Sequence, residues 1–305
     1  MLKVGIKNMG IYLPRFRLSG KVLSEAWQKP MGKAVKAVPN HDEDSLTMAV
    51  GAVINTMDDF DAGVDSADKA LPADALYFAT TTAPYNEKSS ASLIAAAADL
   101  PAGVRTMDFA GSLRAGTSAL IAGIESIMAD RLKNVLVAAS DLRFAEPGSD
   151  LEPFIGAGAA AVQLTDDTSM ALEVTDFNSR AAVLSDYWRR TDDRYLHHSD
   201  LKYAMMYGAT RTVIGSVSQF MEKTGRNISE FHKVIISVPD LRSIRTIAKQ
   251  LKLKPEQVQD DFAMQMGLLG SAHAFITLTE AASSCPPDGE VLLANYGDGC
   301  DIICF

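Results

Sequence analysis

The sequence predicts an α/β protein of five layers, α/β/α/β/α, assembled from two similar lobes. Three observations carry that prediction. Strand-like and helix-like segments alternate along the 305 residues, the pattern of mixed layers. A long helix followed by an apolar strand occurs in each half. One helix per half is rich in small apolar residues and lacks a charged face, so each must be buried on most sides.

In the first half, strands are expected over residues 4–12, 75–80, 105–109, 134–139 and 159–164, and helices over 45–57, 90–100 and 115–130. In the second half, strands are expected over 171–176, 233–238, 290–296 and 301–305, and helices over 202–223, 241–251 and 267–281. The two helices without a charged face are AGTSALIAGIESIM (115–128) and GLLGSAHAFITLTEA (267–281). The polar turn Asp166-Asp167-Thr168 divides the chain into an N-terminal lobe, 1–166, and a C-terminal lobe, 167–305. The acidic cluster Asp42, Glu43 and Asp44 precedes the helix expected over 45–57, where carboxylates satisfy free N–H groups and the helix dipole. A metal site there is the alternative reading.

Composition bounds the function. Hydrophobic residues make up 47% and charged residues 22%, the balance of a folded cytoplasmic protein. No apolar run approaches the roughly 20 residues of a membrane span. A net charge of −9 argues against a nucleic-acid partner, so an anionic coenzyme would need a local basic patch. The three cysteines, Cys285, Cys300 and Cys304, form no CxxC pair and share no metal-ligand spacing with the histidines. No metal is expected.

Several stretches carry a resemblance. GIYLPRFRL (10–18), DEDSLTMAV (42–50), ATTTAPYNEKSSASLIAAA (79–97), DFAGSLRAGTSAL (108–120), GAGAAAVQL (156–164), the helix from Gly267 and VLLANYGDGCD (291–301) occur in this order. The chain resembles the 3-hydroxy-3-methylglutaryl-CoA synthases, their bacterial and archaeal branch above all. The resemblance implies a thiolase fold, commonly dimeric, and acyl-CoA chemistry through a cysteine thioester. It also implies association with a thiolase-fold subunit, homo- or heteromeric, and with a thiolase and a small OB-fold, zinc-ribbon protein. Coenzyme A or an acyl-CoA is the implied ligand, with no tightly bound cofactor.

The residues that would carry condensation are replaced. The resemblance places a cysteine before a basic residue and Ala-Gly-Thr; here Arg114-Ala115-Gly116-Thr117 follows Leu113. The histidine position, before a proline after an apolar strand, aligns with Ser237. The asparagine of a Gly-Asn-x-Gly pattern aligns with Leu268, and the glutamate of the threonine-rich loop with Thr81. A leucine side chain is neither nucleophile, acid, base nor oxyanion donor. Condensation by the family's chemistry is therefore not expected, and a non-condensing subunit of an acyl-CoA or acyl-transfer complex is the leading reading.

Two substitutes keep an active acyltransferase open. Ser112 adjoins the old nucleophile position, although a helix cap is the plainer reading. Cys300 follows Gly297-Asp298-Gly299, although a buried cysteine is the plainer reading. His273, in an apolar helix, reads as a satisfied core histidine. The segment 185–198 (SDYWRRTDDRYLHH) concentrates three aromatics, three arginines and two histidines. It is either a solvated or dimer-contact loop or the mouth of a coenzyme tunnel, with Trp188, Arg189, Arg190 and Arg194 meeting adenine and phosphates. A standalone acyl-CoA-binding protein is the third reading.

Overall fold

The computed structural model of the chain describes residues 3–58 and 73–305. The first half contains β1 (Gly5–Tyr12), β2 (Phe16–Ser19), α1 (Gly20–Trp27), β3 (Val35–Val38), α2 (Ser45–Asp58), β4 (Ala75–Ala79) and α3 (Ser90–Ala97). It continues with β5 (Arg105–Phe109), α4 (Ala115–Met128), β6 (Asn134–Leu142), β7 (Ala157–Thr165) and β8 (Leu172–Glu173). The second half contains β9 (Asp176–Ala181), β10 (Tyr187–Trp188), β11 (His197–His198), α5 (Leu201–Tyr203), a π-helical turn (Ala204–Thr210) and α6 (Arg211–Thr224). There follow β12 (Lys233–Ser237), α7 (Leu241–Gln250), α8 (Ala263–Met266), α9 (His273–Ser284), β13 (Val291–Tyr296) and β14 (Gly299–Cys304).

Two sheets organise the molecule. The first has the order β5-β4-β6-β7-β1-β8, with β4 parallel to both β5 and β6 and the remaining pairs antiparallel. The second has the order β12-β13-β14-β9, one parallel pair followed by two antiparallel ones. That is the pairing pattern of β4-β6-β7-β1, so each half repeats one scheme. A single parallel bridge from Val234 to Val258 stands where a counterpart of β5 would lie.

Five layers follow. Helices α2 and α3 cover one face of the first sheet through Met48, Val53, Ile94 and Phe78. Helices α4 and α9 lie between the sheets, where Leu120, Ile124, Phe275 and Leu278 meet Val137, Val162, Leu293 and Ile303. Helices α6 and α7 close the far side through Val213, Phe220 and Ile247 against Val234 and Ile302. The small residues of α4 are what permit its burial. A Cβ on Gly116 would stand 2.6 Å from the Ser271 carbonyl oxygen, and one on Gly123 2.7 Å from a Leu164 methyl.

The differences from the sequence reading have local causes. The expected strand 171–176 is divided, β8 pairing with β1 in the first sheet while β9 opens the second. Residue 166 therefore precedes the last strand of the first sheet. The expected helix 202–223 runs through the π-helical turn. The expected helix 267–281 starts only at His273, because Gly267 (φ +82°) and Gly270 (φ +63°) bend the chain first. The antiparallel pairs β2–β3 and β10–β11 and the helix α1 had no periodicity long enough to read. Asp44 receives the Leu46 and Thr47 N–H groups at 2.9 and 2.8 Å, so this carboxylate caps α2. Glu43 takes the Asn40 N–H at 2.6 Å and the Tyr12 hydroxyl.

Candidate functional site

The head of α4 is anchored across the layers. Asp301, fully buried on β14, accepts from Arg114 and Ser179 on one oxygen, both at 2.7 Å. Its other oxygen accepts from Thr117 at 2.7 Å and Ser118 at 3.1 Å. Asn295 on β13 donates to the Thr117 hydroxyl at 3.0 Å. A buried carboxylate persists only when its lone pairs are filled, and here the donors come from α4 and β9. The turn at Gly297 presses on the same helix head, a Cβ there falling 2.7 Å from the Arg114 nitrogen.

Leu113, Ser237 and Leu268 meet just beyond that head. They share a void of about 20 Å³ with Arg143, Val238, Pro239, Gly270, His273, Asn295 and Tyr296. This is space for about one water molecule. Thr81 does not line it. Its N–H and hydroxyl instead donate to one oxygen of Asp141, at 2.6 and 2.9 Å, which also accepts from the Thr80 and Thr82 hydroxyls. The other Asp141 oxygen takes the Ser271 N–H at 2.7 Å. Asp141 thus pins the threonine loop to the start of α9, and its contact with Gly270 leaves no room for a side chain there.

Neither low-ranked substitute is placed for catalysis. The Ser112 hydroxyl receives only the Arg114 N–H, at 3.4 Å, and no base faces it among the described residues. It is not the cap of α4 either, since Arg114 holds that position without a side-chain cap. Cys300 faces the outer cluster with Val217 and Phe220, on the side of β14 opposite Asp301. Burial pushes its thiol up to about 12, the reverse of an activated thiolate. Strand alternation turns its side chain to the outer face of β14, as the plainer reading of a buried cysteine expects.

A second cavity, of about 790 Å³, lies on the other side of Leu268 and Pro239, which line both spaces. Its wall is largely apolar, including Met31, Leu151, Phe154, Leu241 and Met264, with Lys202, Arg242 and Arg245 as its cations. Asp240 accepts from the Arg242 and Ser243 N–H groups, both at 2.9 Å, so its charge is committed to capping α7. Trp188, Arg189, Arg190 and Arg194 are not among the lining residues; from their segment only Tyr187 is. Trp188 stacks on His197, Arg189 donates to the Thr81 carbonyl at 2.7 Å, Arg190 pairs with Asp193, and Arg194 lies over Tyr195. A carbonyl occupies Arg189, an acid Arg190 and an aromatic ring Arg194. Sequence reading missed Lys202, Arg242 and Arg245 because they are spread over two helices with no clustering.

Sequence reading passed over Arg143 and took His273 for a satisfied core histidine; it is buried, but its Nε2 has no partner among the described residues. Burial holds the His273 imidazole down to about 4, helped by the nearby Arg143 charge. The ring is therefore neutral at pH 7. Burial likewise lowers the Arg143 guanidinium from its usual range.

Comparison with known proteins fits this geometry. Residues 221–305 match the 3-oxoacyl-(acyl-carrier-protein) synthase III C-terminal family. The structure superposes on 3-oxoacyl-(acyl carrier protein) synthase III, FabH, of Pseudomonas aeruginosa with a TM-score of 0.86 at 19% identity, covering 99% of this chain and 98% of that one. It superposes on Xanthomonas campestris OleA with bound lauric acid and lauroyl-CoA with a TM-score of 0.80 at 14% identity, covering 99% and 98%. The fold is the thiolase fold. Within that class, the chain is similar to the hydroxymethylglutaryl-CoA synthase of Caldivirga maquilingensis, 26% identical over 98% of this chain and 85% of that protein. It is equally similar to that of Methanopyrus kandleri, 26% identical over 97% and 85%. No helix among the described residues is long and apolar enough to cross a membrane.

Proposed function

We propose that this chain is a non-condensing, hydroxymethylglutaryl-CoA-synthase-like subunit of a cytoplasmic acyl-CoA or acyl-transfer complex. One observation carries the reading. Where the resemblance places a thiol and its oxyanion partners, Leu113 and Leu268 close on a void of about 20 Å³, too small for an acyl group and without a nucleophile. The approach is nonetheless open: the cavity of about 790 Å³ beside it has the size of a small-molecule site. Lys202, Arg242 and Arg245 suit the phosphates of a coenzyme A ligand. The partners proposed are a second thiolase-fold subunit across β5 and, by resemblance, a cysteine-bearing thiolase with its OB-fold, zinc-ribbon companion.

The test is intact-protein mass spectrometry after incubation with acetyl-CoA and acetoacetyl-CoA, with free coenzyme release measured in parallel. No adduct and no release above background are expected. Leu113→Cys should not restore condensation, since Ser237, Leu268 and Thr81 still leave the oxyanion and the proton unattended. An adduct on the unaltered protein mapped to Ser112 or Cys300 would overturn the proposal. The open cavity also favours a second reading, a lone acyl-CoA-binding protein. Pulldown from native extract separates the two, as a bare homodimer that binds coenzyme would support that alternative.

A further inference from the structure

The small void at Leu113 is lined by two side chains, each with a nitrogen donor that has no partner among the described residues. His273 is 3% exposed, and its Nδ1 accepts the Leu269 N–H at 3.4 Å. The neutral ring must then carry its hydrogen on Nε2, and Nε2 has no partner among the described residues. Arg143 is 7% exposed. Among the described residues its Nε has no partner either, and its Nη2 reaches only the Leu268 carbonyl, at 3.5 Å. Both side chains line the void, beside Ser237.

The charge is as unbalanced as the hydrogen bonding. Among the described residues no carboxylate forms an ion pair with Arg143. Asp141 is the acid whose field acts on it, opposed by Arg189. Five donors already occupy the Asp141 oxygens: three threonine hydroxyls and the N–H groups of Thr81 and Ser271. A buried guanidinium with an idle N–H is costly unless an anion meets it. A water molecule would satisfy the donors but add two hydrogens and no charge.

We propose that this void is a binding site for one small anionic hydrogen-bond acceptor, held by Arg143 Nε and His273 Nε2. At about 20 Å³ it admits a single heavy atom. That atom is either a free halide or one oxygen of a carboxylate whose ligand lies in the adjoining cavity, across Leu268 and Pro239. The site does not depend on whether the chain condenses acyl groups, so it stands or falls separately from the reading above.

Two arms test it and distinguish the sources. Crystals of the unaltered protein grown in sodium bromide, measured at the bromine edge, should show an anomalous peak within contact of both nitrogens. That peak should vanish in Arg143→Met; a peak that persists there marks an adventitious ion only and counts against the site. In calorimetry, a carboxylate-terminated thioester (succinyl-CoA) should bind at least about tenfold tighter than a neutral one (butyryl-CoA) if the ligand's own carboxylate is the occupant. Arg143→Met and His273→Phe should each abolish that preference. A bromide peak without a carboxylate preference identifies the free halide. No peak together with equal affinities would overturn the proposal, and neither measurement on the unaltered protein depends on a variant folding.

Discussion

Asp301 illustrates how one side chain fixes a site from a distance. It is fully buried, and Arg114, its partner at 2.7 Å, is only 18% exposed. Removing one member of a buried pair leaves the other uncompensated. Asp301→Asn should therefore lower the unfolding free energy by about 3 kcal/mol in urea titration. Lys3→Met, which breaks the exposed Lys3–Glu173 pair, should change it by less than about 1 kcal/mol. Equal effects would show that the anchor is not what holds α4. Asp261 behaves in the opposite sense. Burial raises its carboxyl to about 6, above the unfolded value of about 3.9. The folded state thus holds the proton more tightly, and this stability, complete below about pH 4, is lost as pH rises through 6. Asp261→Asn should flatten urea stability between pH 4 and pH 7 and exceed the parent at pH 7 by on the order of 2 kcal/mol. Parallel pH profiles would refute this. Leu113, Ser237 and Leu268 were legible because flanking residues such as Arg114-Ala115-Gly116-Thr117 and Pro239 mark their positions. Asp141 and Asp301 were not singled out, though an aspartate inside an apolar strand is itself a signal, since burial obliges it to be partnered. Arg143 and His273 were illegible as a pair because only the fold brings residues of β6's end and α9 together.

At the scale of elements, the start of α9 matters more than its length. Gly270 combines a φ of +63° with contact against Asp141, where a Cβ would lie 2.1 Å from the carboxylate oxygen. Gly270→Ala should therefore cost more than about 2 kcal/mol, through both strain and displacement of the Asp141 bonds to Thr81 and Ser271. Gly225 is the control, with a φ of +69° at the end of α6 and open space around its Cβ. There Gly225→Ala should cost about 1 kcal/mol. Equal losses in chemical denaturation would mean that crowding at Asp141 contributes nothing. Central elements such as β6, β7 and α4 were legible because burial on both sides makes them continuous apolar runs. The division between β8 and β9 was not, because Val174 and Thr175 continue the same extended, mixed pattern while the chain changes sheet.

At the scale of the whole molecule, one edge stands out. β5 ends the first sheet with β4 on one side, and Met107 on it is 36% exposed. Open strand edges invite pairing, so a second thiolase-fold subunit there should bury more than roughly 2,000 Å² in total. Sedimentation should show a dimer, and Met107→Lys should shift it towards monomer. A stable monomer at micromolar concentration would count against the pairing. The two-lobe scheme was legible from the repeated helix-then-strand order, while the bridge at Val258 that replaces a fifth strand was hidden by its brevity. The second sheet also has a consequence for synthesis on the ribosome. Among the described residues β9 pairs only with β14, which is translated about 120 residues later, on the order of ten seconds at ordinary elongation rates. Until then β9 is a nascent segment without a partner, and its sequence Asp-Phe-Asn-Ser-Arg-Ala is polar enough to wait in water without attracting another chain.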